Sequence, residues 1–526
     1  MKLKSYIIQS ALVFSALFLI AGNTSAQYNV LELLPGSDEL RYDAKTGLHT
    51  LVGNVSFKYQ GNLMYCDSAI YNKKKNIVRA YGDVHINKRD TLNLFCDSLQ
   101  YNGKTQMAKL WGNVRVRDRE YKLTTDSLDY DAKLSQASYR YGGRVEGSKS
   151  REVLTSRVGY FHPDTKNFFF SKDVKYVGTD IHMTTDTLRY LYSKQTAYFY
   201  GPTDIKAKEA LMHCESGWYN TETEEGTLEK NAWISKDSSY ISGDTLIYQP
   251  LQGSYTGFGN VYYIDSTEDL SFTGNYAFSS DSLHYTLLTG DAIATKMMKD
   301  DTLSIHADTL YNYKTDSIEV LKAYNKAALY SDGFQAVADS IVYDKNMGCL
   351  ELHRSPIVWS KDAELKGAFM DMELTDSIIN RVNIYEKATI LMEIEPSLYY
   401  NQIAGSNINA YFKNNEIHQA YVNGNAMTIF YPEDEKSTDS TYTKRRKGMN
   451  RLYSSDLRID LDSSEIVGIT YIKQPDGAMY PMSKIEKDEQ FVPGFNWKPH
   501  LRPSSKSDLI APKELAVIVE EAEIEN

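Results

Sequence analysis

The sequence predicts an all-β fold, an elongated solenoid-like slab of about twelve two-strand repeats, each of about 30 residues. Three observations predict this fold. The chain of 526 residues contains 41 tyrosines but only 13 prolines and 5 tryptophans, and tyrosine favours strands and half-buried surfaces. Two short motifs recur with one period through most of the chain. Within each repeat, apolar and polar residues alternate with the period of two that is typical of strands.

The first 26 residues predict a secretory signal peptide. Lys2 and Lys4 precede a mostly apolar stretch over residues 7–22, and small residues follow it, ending at Ala26. A basic start, an apolar centre and a small-residue cleavage site together mark a secretory leader, with cleavage expected after Ala26. No later stretch reaches the roughly 20 apolar residues that a membrane-spanning helix requires. The chain is therefore expected to be exported.

The rest of the chain divides into two further predicted segments. Residues 27–431 form the repeat region, which is clearest over residues 42–343. Residues 432–526 are predicted to hold degenerate last strands, a polar loop over residues 432–450 and a proline-rich tail whose acidic end begins at Glu514.

The first motif consists of a small residue, an aspartate, a serine or threonine, an apolar residue and, two positions further, a tyrosine. Its clear copies begin at Cys66, Cys96, Thr125, Thr185, Gly243, Ser280 and Ala338. The tyrosines of the clear and degenerate copies in the first half of the chain are Tyr71, Tyr101, Tyr130, Tyr160, Tyr190, Tyr219 and Tyr248, about 30 residues apart.

The second motif, Gly-Asn-Val or Gly-Asp-Val, falls between copies of the first. It begins at Gly53, Gly82, Gly112, Gly143 (with arginine in the second place) and Gly259, with weaker copies at Gly290 and Gly424. Two interleaved motifs that keep one period indicate a repeat architecture, in which each repeat packs against its neighbours.

Alternation shows how each repeat is built. In the glycine strand, Leu110 and Val114 share one phase across Gly112, whereas in the aspartate strand the phase changes between Thr125 and Leu128. One extra residue at the aspartate step reverses the parity, as a β-bulge does. Each strand is therefore expected to turn a corner, so that its two halves face one interior.

Two repeated residue types each have two interpretations. Stacked carboxylates could hold calcium, but hydrogen bonding of each aspartate to free amides of its own bulge is the preferred interpretation. This ladder comprises Asp67, Asp97, Asp126, Asp186, Asp244, Asp281 and Asp339.

The cysteines at positions 66, 96 and 214 occupy a column that elsewhere holds threonine or alanine. Packing of a small residue therefore explains Cys66, Cys96 and Cys214, and a disulfide is not expected.

Composition and motifs exclude several functions. The net charge of -11 argues against nucleic-acid binding. The ten histidines show no metal-ligand spacing, and neither a nucleophile elbow nor a phosphate-binding loop is present. No catalytic residues, no metal and no cofactor are therefore predicted.

The interleaved Gly-Asn/Asp-Val and small-Asp-x-x-x-Tyr motifs, behind a signal peptide, resemble the OstA-like family. That family comprises the periplasmic lipopolysaccharide-transport protein LptA and the N-terminal domain of its outer-membrane partner LptD. The resemblance is clearest over residues 42–130 and continues to about Tyr343. It implies a β-jellyroll whose apolar interior shields lipid A acyl chains and whose edge strands join partner proteins end to end.

Carried onto this chain, the family's groove corresponds to the inward columns of the first repeats. The implied lipid-binding residues are Val55, Phe57, Val84, Ile86, Leu99, Tyr101, Val114, Val116, Leu128 and Tyr130. The implied partners are lipopolysaccharide or another acylated lipid and lipopolysaccharide-transport proteins at the ends of the slab. The implied location is the periplasm, with an association with the outer membrane as a further expectation. The chain departs from the small periplasmic members by having many more repeats.

A third function, an enzyme acting on envelope polysaccharide, would need a carboxylate pair that breaks the repeat, and the sequence shows none. Two functions remain, and the sequence leaves open whether the interior is a groove or a closed core. In the first, the walls splay apart and the chain is a non-enzymatic periplasmic carrier or bridge for lipopolysaccharide. In the second, the walls close on an ordinary core and the chain is a structural scaffold of the cell envelope.

Overall fold

The computed structural model describes residues 32–510, except 60–61, 89–91, 149–150, 163–164, 209, 268, 281, 299–300, 316, 376–377, 433–445 and 463–464. The signal peptide, Asp281, most of the polar loop and the acidic end therefore lie outside the described residues. The chain comprises two compact units, residues 1–133 and 134–526. In both units the regular structure is strands and short 3-10 helices, with no α-helix among the described residues. The all-β prediction is confirmed.

The first unit contains eight strands in the part that the structure describes. They are β1 (Glu32–Leu33), β2 (Glu39–Asp43), β3 (Leu48–Tyr59), β4 (Asn62–Asn72), β5 (Ile77–Lys88), β6 (Leu92–Asn102), β7 (Met107–Arg117) and β8 (Tyr121–Asp131). From β3 to β8, each strand pairs antiparallel with the next along the chain. Both β1 and β2 pair with β3, so together they form one bent edge strand.

The second unit continues the same pattern. Its strands are β9 (Gln136–Tyr139), β10 (Gly143–Gly147), β11 (Val153–Ser156), β12 (Val158–His162), β13 (Asn167–Val177), β14 (Ile181–Leu191), β15 (Thr196–Ala207), β16 (Ala210–Asn220), β17 (Gly226–Lys236), β18 (Ser239–Gln249), β19 (Ser254–Asp265), β20 (Leu270–Ser280), β21 (Tyr285–Met297), β22 (Thr302–Lys314), β23 (Glu319–Tyr330), β24 (Gln335–Asp344), β25 (Cys349–His353), β26 (Ile357–Ser360), β27 (Ala363–Lys366), β28 (Phe369–Thr375), β29 (Ile378–Glu395), β30 (Tyr399–Lys413), β31 (Glu416–Phe430), β32 (Met449–Asp462), β33 (Glu465–Ile472) and β34 (Asp476–Tyr480). The 3-10 helices are Tyr192–Lys194, Pro250–Gln252, Met482–Lys484, Lys487–Glu489, Pro499–Leu501 and Lys506–Leu509.

The residue after the repeat tyrosine closes the hairpin turn. The Asn102 side chain accepts hydrogen bonds from the backbone N–H groups of Lys104 and Thr105, at 3.0 and 3.3 Å. Asn72 and Asp131 accept corresponding bonds from Lys75 and Lys133, both at 2.9 Å. Short polar side chains that bond the backbone two or three residues ahead favour turns, which explains why each long strand ends at this position.

A bend divides each long strand in the middle. In β7 and β8, Trp111 pairs with Ser127 and Val114 with Thr125, so two residues of β7 oppose one of β8. The two residues are Gly112 and Asn113, with φ of +72° and +48°. Glycine and asparagine are the residues that tolerate this left-handed conformation, which explains the Gly-Asn motif. The bulge lies at the aspartate step, but its extra residue belongs to the glycine strand and not, as predicted, to the aspartate strand.

The aspartates of the ladder contact the bend of the neighbouring strand, which differs from the contact that was expected. Asp97 lies over Gly112 of the next strand, and the Asn113 side-chain amide donates to its Oδ2 at 2.9 Å. The same arrangement joins Asp244 to Gly259 and Asn260. The expectation that each aspartate bonds amides of its own bulge is therefore wrong for these copies. The aspartate instead faces the neighbouring strand, where the missing glycine Cβ leaves room for it.

Replacing Gly112 by alanine is expected to cost about 1–3 kcal/mol of unfolding free energy. The φ of +72° strains any residue with a Cβ, and the new Cβ would lie 2.3 Å from Asp97 Oδ2. Urea denaturation followed by circular dichroism measures the change. Gly468→Ala is the matched control, because nothing lies within 4 Å of its Cβ position and its φ is outside the left-handed range. Equal midpoints for both variants would contradict the prediction.

All four cysteines are free thiols, as expected from their spacing. Cys66 and Cys96 are buried, and burial raises the pKa of the Cys66 thiol to about 11 and that of Cys96 to about 12. These side chains therefore pack as small apolar groups rather than as reactive thiolates.

Candidate functional site

The bend places two inward-facing columns opposite each other in the first unit. We name the strand halves that carry the repeat tyrosines the tyrosine wall and the halves on the other side of the bend the valine wall. In β7 the tyrosine wall is residues 107–111 and the valine wall is residues 114–117. Leu110 and Val114, the inward residues that flank this bend, are each 1% exposed. The two walls therefore enclose a continuous apolar interior next to the bend.

The structure places all ten residues predicted to bind lipid on the inward face of these walls. Seven are buried, with 1–5% of their surface exposed: Val55, Phe57, Val84, Leu99, Val114, Val116 and Leu128. The other three, Ile86, Tyr101 and Tyr130, are half-buried. The set thus contains residues at two depths, a buried floor beside the bend and a partly exposed rim farther from it.

The rim includes three residues that the sequence analysis did not select. Met64 and Leu94 lie on the valine wall and Tyr71 on the tyrosine wall, and all three are half-buried. Each follows the same two-residue alternation as the predicted residues, so the period could have identified it. Together, Met64, Tyr71, Ile86, Leu94, Tyr101 and Tyr130 form what we call the groove rim.

In the second unit, one aromatic contact joins the two walls. Tyr176 of β13 lies on the valine wall and Tyr190 of β14 on the tyrosine wall, and their ring centroids are 5.7 Å apart. The Tyr190 hydroxyl donates to Gln195 Oε1 at 2.5 Å. Both rings are at most 3% exposed. This pair, which we name the tyrosine bridge, closes the interior at that level.

A cleft of about 390 Å³ lies beside the tyrosine bridge. Tyr176 and Tyr219 form part of its lining. Its charged lining residues are Arg151, Glu152, Asp180, Lys208 and Glu224. Lys208 and Glu224 form an ion pair at 2.7 Å. Charges of both signs therefore surround the interior at this level, in contrast to the apolar groove rim of the first unit.

The tyrosine bridge makes stability sensitive to alkaline pH. Burial raises the pKa of Tyr176 and Tyr190 far above the ordinary value of 10. Above pH 10 the unfolded chain loses these protons while the folded chain keeps them, so stability is complete below pH 10 and falls as pH rises. Each tyrosine contributes a loss of about 1.4 kcal/mol for one pH unit above 10. Urea midpoints at pH 8 and pH 11 should differ less in Tyr176→Phe/Tyr190→Phe than in the wild type. An unchanged difference would contradict the assignment.

Around β29 of the second unit, the interior is a closed core. One apolar cluster runs from Val261 to Leu461, and its buried members are 0–8% exposed. On β29, the inward residues Ala388, Ile390 and Met392 are 0–4% exposed, without the exposed rim found in the first unit. The same alternation therefore encloses an open rim in one place and a fully packed core in another.

Residues 481–510, which we name the C-terminal strap, cover the outward face of β24, β27 and β30. Gln402 donates to the backbone carbonyl of Gln490 at 2.7 Å and accepts from the backbone N–H of Val492 at 2.9 Å. Glu364 accepts from the backbone N–H of Lys498 at 3.1 Å. The C-terminal strap is not a strand of the sheet. Its backbone groups are instead hydrogen-bonded by outward side chains of the strands.

Apolar contacts complete the strap. Val492 is buried in one cluster with Ile429, Met449 and neighbouring residues, and Phe495 and Trp497 pack against it. Leu509 is buried in a second cluster with Trp359. The proline-rich tail, which the sequence predicts as irregular, therefore covers a second apolar face of these strands.

The edges of the sheet are unpaired among the described residues. In the first unit, β2 pairs with β3 alone, and its Leu40 and Tyr42 side chains are 54% and 61% exposed. In the second unit, β33 and β34 each pair with β32 alone, and Val467 is 67% exposed. Unpaired strands with exposed apolar side chains can accept a further strand from another chain.

The described part of the chain contains no group of three or more His, Cys, Asp or Glu side chains placed to hold a metal ion. Asp67, Asp97, Asp126, Asp186 and Asp244 are exposed at the bends. No helix among the described residues is long and apolar enough to cross a membrane.

Comparison with known proteins supports the resemblance noted above. Residues 31–186 match the family described as OstA-like protein, which confirms the resemblance for that part of the chain. One similar solved structure is LptH, described as the LptA homologous periplasmic component of the conserved lipopolysaccharide transport device from Pseudomonas aeruginosa. It is 17% identical, the match covers 20% of this chain and 75% of that chain, and the TM-score is 0.19. No curated protein matches the chain.

Proposed function

We propose that the interior of residues 32–133 is an apolar groove for acyl chains, and that the chain is a non-enzymatic periplasmic protein that carries or bridges lipopolysaccharide. The observation that carries the proposal is the groove rim, where six inward apolar or aromatic residues stay half-buried above a buried floor. In a closed core these positions would be covered, as their counterparts on β29 are. The match of residues 31–186 to the OstA-like family supports the same function.

The physical basis is passive shielding of hydrocarbon from water. Each CH₂ group that moves from water into an apolar site gains about 0.8 kcal/mol. The seven buried residues of the predicted set would form the floor against which acyl chains pack. At the rim, the acyl chains would be covered by Ile86, Tyr101 and Tyr130. Such a groove needs no cofactor and no catalytic residue.

The unpaired edges suggest how partners would join. Strand β2 offers free backbone groups beside two exposed apolar side chains, and another strand could pair with it. We assign this edge to lipopolysaccharide-transport proteins of the same β architecture. The predicted leader, with cleavage expected after Ala26, supports a periplasmic location, and an association with the outer membrane would follow from a partner there.

A second function is favoured by one observation in the second unit. The closed cluster from Val261 to Leu461 has no exposed rim on β29, and the C-terminal strap covers a further apolar face. This part of the chain therefore fits the role of a structural scaffold of the cell envelope. The two functions can coexist, because they are assigned to different residues.

Photo-crosslinking from the groove rim tests the lipid-carrying function. A photoreactive residue at Leu94 or Ile86 should attach lipopolysaccharide when the full chain is expressed in cells that make it. Leu99 and Val114 are less suitable positions, because at 3% and 1% exposure a bulky probe there would disturb the floor. Thr124, which faces outward on β8, is the control. Absence of a lipid adduct at both rim positions, or equal labelling at Thr124, would overturn the proposal.

A further inference from the structure

The outward face of the valine wall in the first unit carries a stacked row of aromatic and basic side chains. Tyr65, His85, Phe95 and Arg115 are directly paired across β4 to β7, and Arg117 lies two residues beyond Arg115. We name these five residues the basic strip. They alternate with inward residues of the groove, so the strip and the groove lie on opposite faces of one wall.

The rings of the basic strip stack face to face. The Tyr65 and His85 centroids are 5.9 Å apart with a 26° interplanar angle, and the His85 and Phe95 centroids are 4.4 Å apart with a 4° angle. Ring faces carry negative partial charge and ring edges positive partial charge. Because the faces cover one another, the surface that these rings leave to a ligand is their electropositive edge.

The two arginines extend this electropositive surface. The guanidinium carbons of Arg115 and Arg117 lie 5.4 and 6.0 Å from the centroid of Phe95. Stacking on an aromatic ring uses the face of a guanidinium group and leaves its N–H donors in the plane. Both arginines are exposed, and neither forms an ion pair with any carboxylate of the described residues. They are therefore preorganised cations with unused donors.

The outward positions beside the strip in this wall add hydrogen-bond donors. Asn87 and Asn93 are the other outward residues of β5 and β6 in this wall, and the outward positions of residues 85–87, 93–95 and 115–117 hold no aspartate or glutamate. Carboxylates flank the strip in sequence: exposed Asp83 and Asp97 lie at the bend, two residues from His85 and Phe95, and Asp118 follows Arg117. Asn93 Oδ1 accepts from His85 Nε2 at 2.9 Å and from Asn87 Nδ2 at 3.2 Å. In a chain of net charge -11, two exposed arginines beside these amide side chains form a local positive patch, bordered by carboxylates at the bend and after β7.

We propose that the basic strip binds the phosphate or carboxylate groups of the lipid's saccharide while its acyl chains lie in the groove. The inference rests on the proposed function. Arg117 is the last residue of β7 and pairs with Asn93, next to the rim residue Leu94. A molecule whose hydrocarbon rests on Leu94 and Ile86 leaves the groove at this rim, so its anionic sugars meet Arg117 first. Charge complementarity with the strip then selects an anionic saccharide over a neutral one.

Calorimetric titration with acyl-free carbohydrate tests the strip independently of the groove. The probes are fully deacylated lipopolysaccharide that retains its phosphates, and the same carbohydrate after dephosphorylation. The protein is the chain from residue 27 to 526. The phosphorylated probe should bind, and Arg115→Gln/Arg117→Gln should weaken it by tenfold or more, because two charge-assisted contacts are lost. Arg79→Gln/Lys109→Gln, on the outward face of the tyrosine wall, is the matched control and should leave binding unchanged.

The outcomes separate this inference from the proposed function. Equal binding of the two carbohydrates by the wild type, a comparison that needs no variant, would overturn the role of the strip. Unchanged binding in the Arg115 and Arg117 variant would do the same. Equal or stronger binding of phosphatidylglycerol vesicles through the two arginines would replace the saccharide by a membrane surface. Failure of lipid crosslinking at both Leu94 and Ile86 would overturn the groove instead, and the acyl-free titration does not depend on that crosslinking.

Discussion

An aspartate at Leu99 is expected to unfold the first unit, whereas an aspartate at Leu94 of the same strand is expected to leave it folded and remove lipid binding. Leu99 is 3% exposed on the floor, and a carboxylate there has no partner. The loss of leucine packing together with an unpaired buried charge costs about 4 kcal/mol or more. Leu94 is half-buried at the rim, where a carboxylate can reach water.

Two measurements distinguish these results. Urea denaturation followed by circular dichroism gives the stability of each variant, and lipid recovered with the purified protein gives its occupancy. Thr105→Asp, in the exposed turn after β6, is the control and should change neither quantity. If Leu94→Asp unfolds the unit as completely as Leu99→Asp does, the rim belongs to a closed core and the groove is abandoned.

Replacing Glu364 by alanine is expected to cost about 3–5 kcal/mol and to release the C-terminal strap. The Glu364 side chain is fully buried, accepts from Trp359 Nε1 at 2.8 Å and from the Lys498 backbone, and forms an ion pair with Lys366. Burial lowers the pKa of Lys366. Without Glu364 the lysine is left as a buried cation, and the strap loses a direct hydrogen bond to the strands.

Chymotrypsin digestion and thermal unfolding together test this expectation. Release should expose Phe491, Phe495 and Trp497 to cleavage well before the rest of the chain. Glu351→Ala is the matched control, because the Glu351 side chain is 49% exposed and should contribute little. A variant at Glu364 that keeps the wild-type midpoint and a protected strap would show that the apolar clusters alone hold it.

The bent strands could be predicted because their cause is local. Gly112 and Asn113 sit where the chain needs positive φ, and the parity change between Thr125 and Leu128 appears in the burial pattern as the sequence predicts. The inward face of the predicted lipid-binding residues follows from the same alternation. The depth of each residue within the groove does not follow from the alternation, because Leu99 and Tyr101 share one column and differ only in their distance from the bend.

The tyrosine bridge and the strap could not be predicted, because their contacts join residues that are unrelated by the repeat. Tyr176 and Tyr190 belong to different walls, and nothing in their motifs fixes the distance between those walls. Glu364 and Lys498 are far apart in the sequence. The tail also lacks local periodicity, since side chains such as Gln402 satisfy its backbone groups.

The alignment of the bends has a consequence for how such a chain can change in length. Because the bend of each long strand lies opposite that of the next, duplication or deletion of one whole two-strand repeat again brings bend opposite bend. Insertion of a single residue inside a strand half would instead move its inward side chains to the outer face. Growth in units of about 30 residues is thus the tolerated kind of insertion, which explains how a chain of this architecture can contain many copies of one repeat.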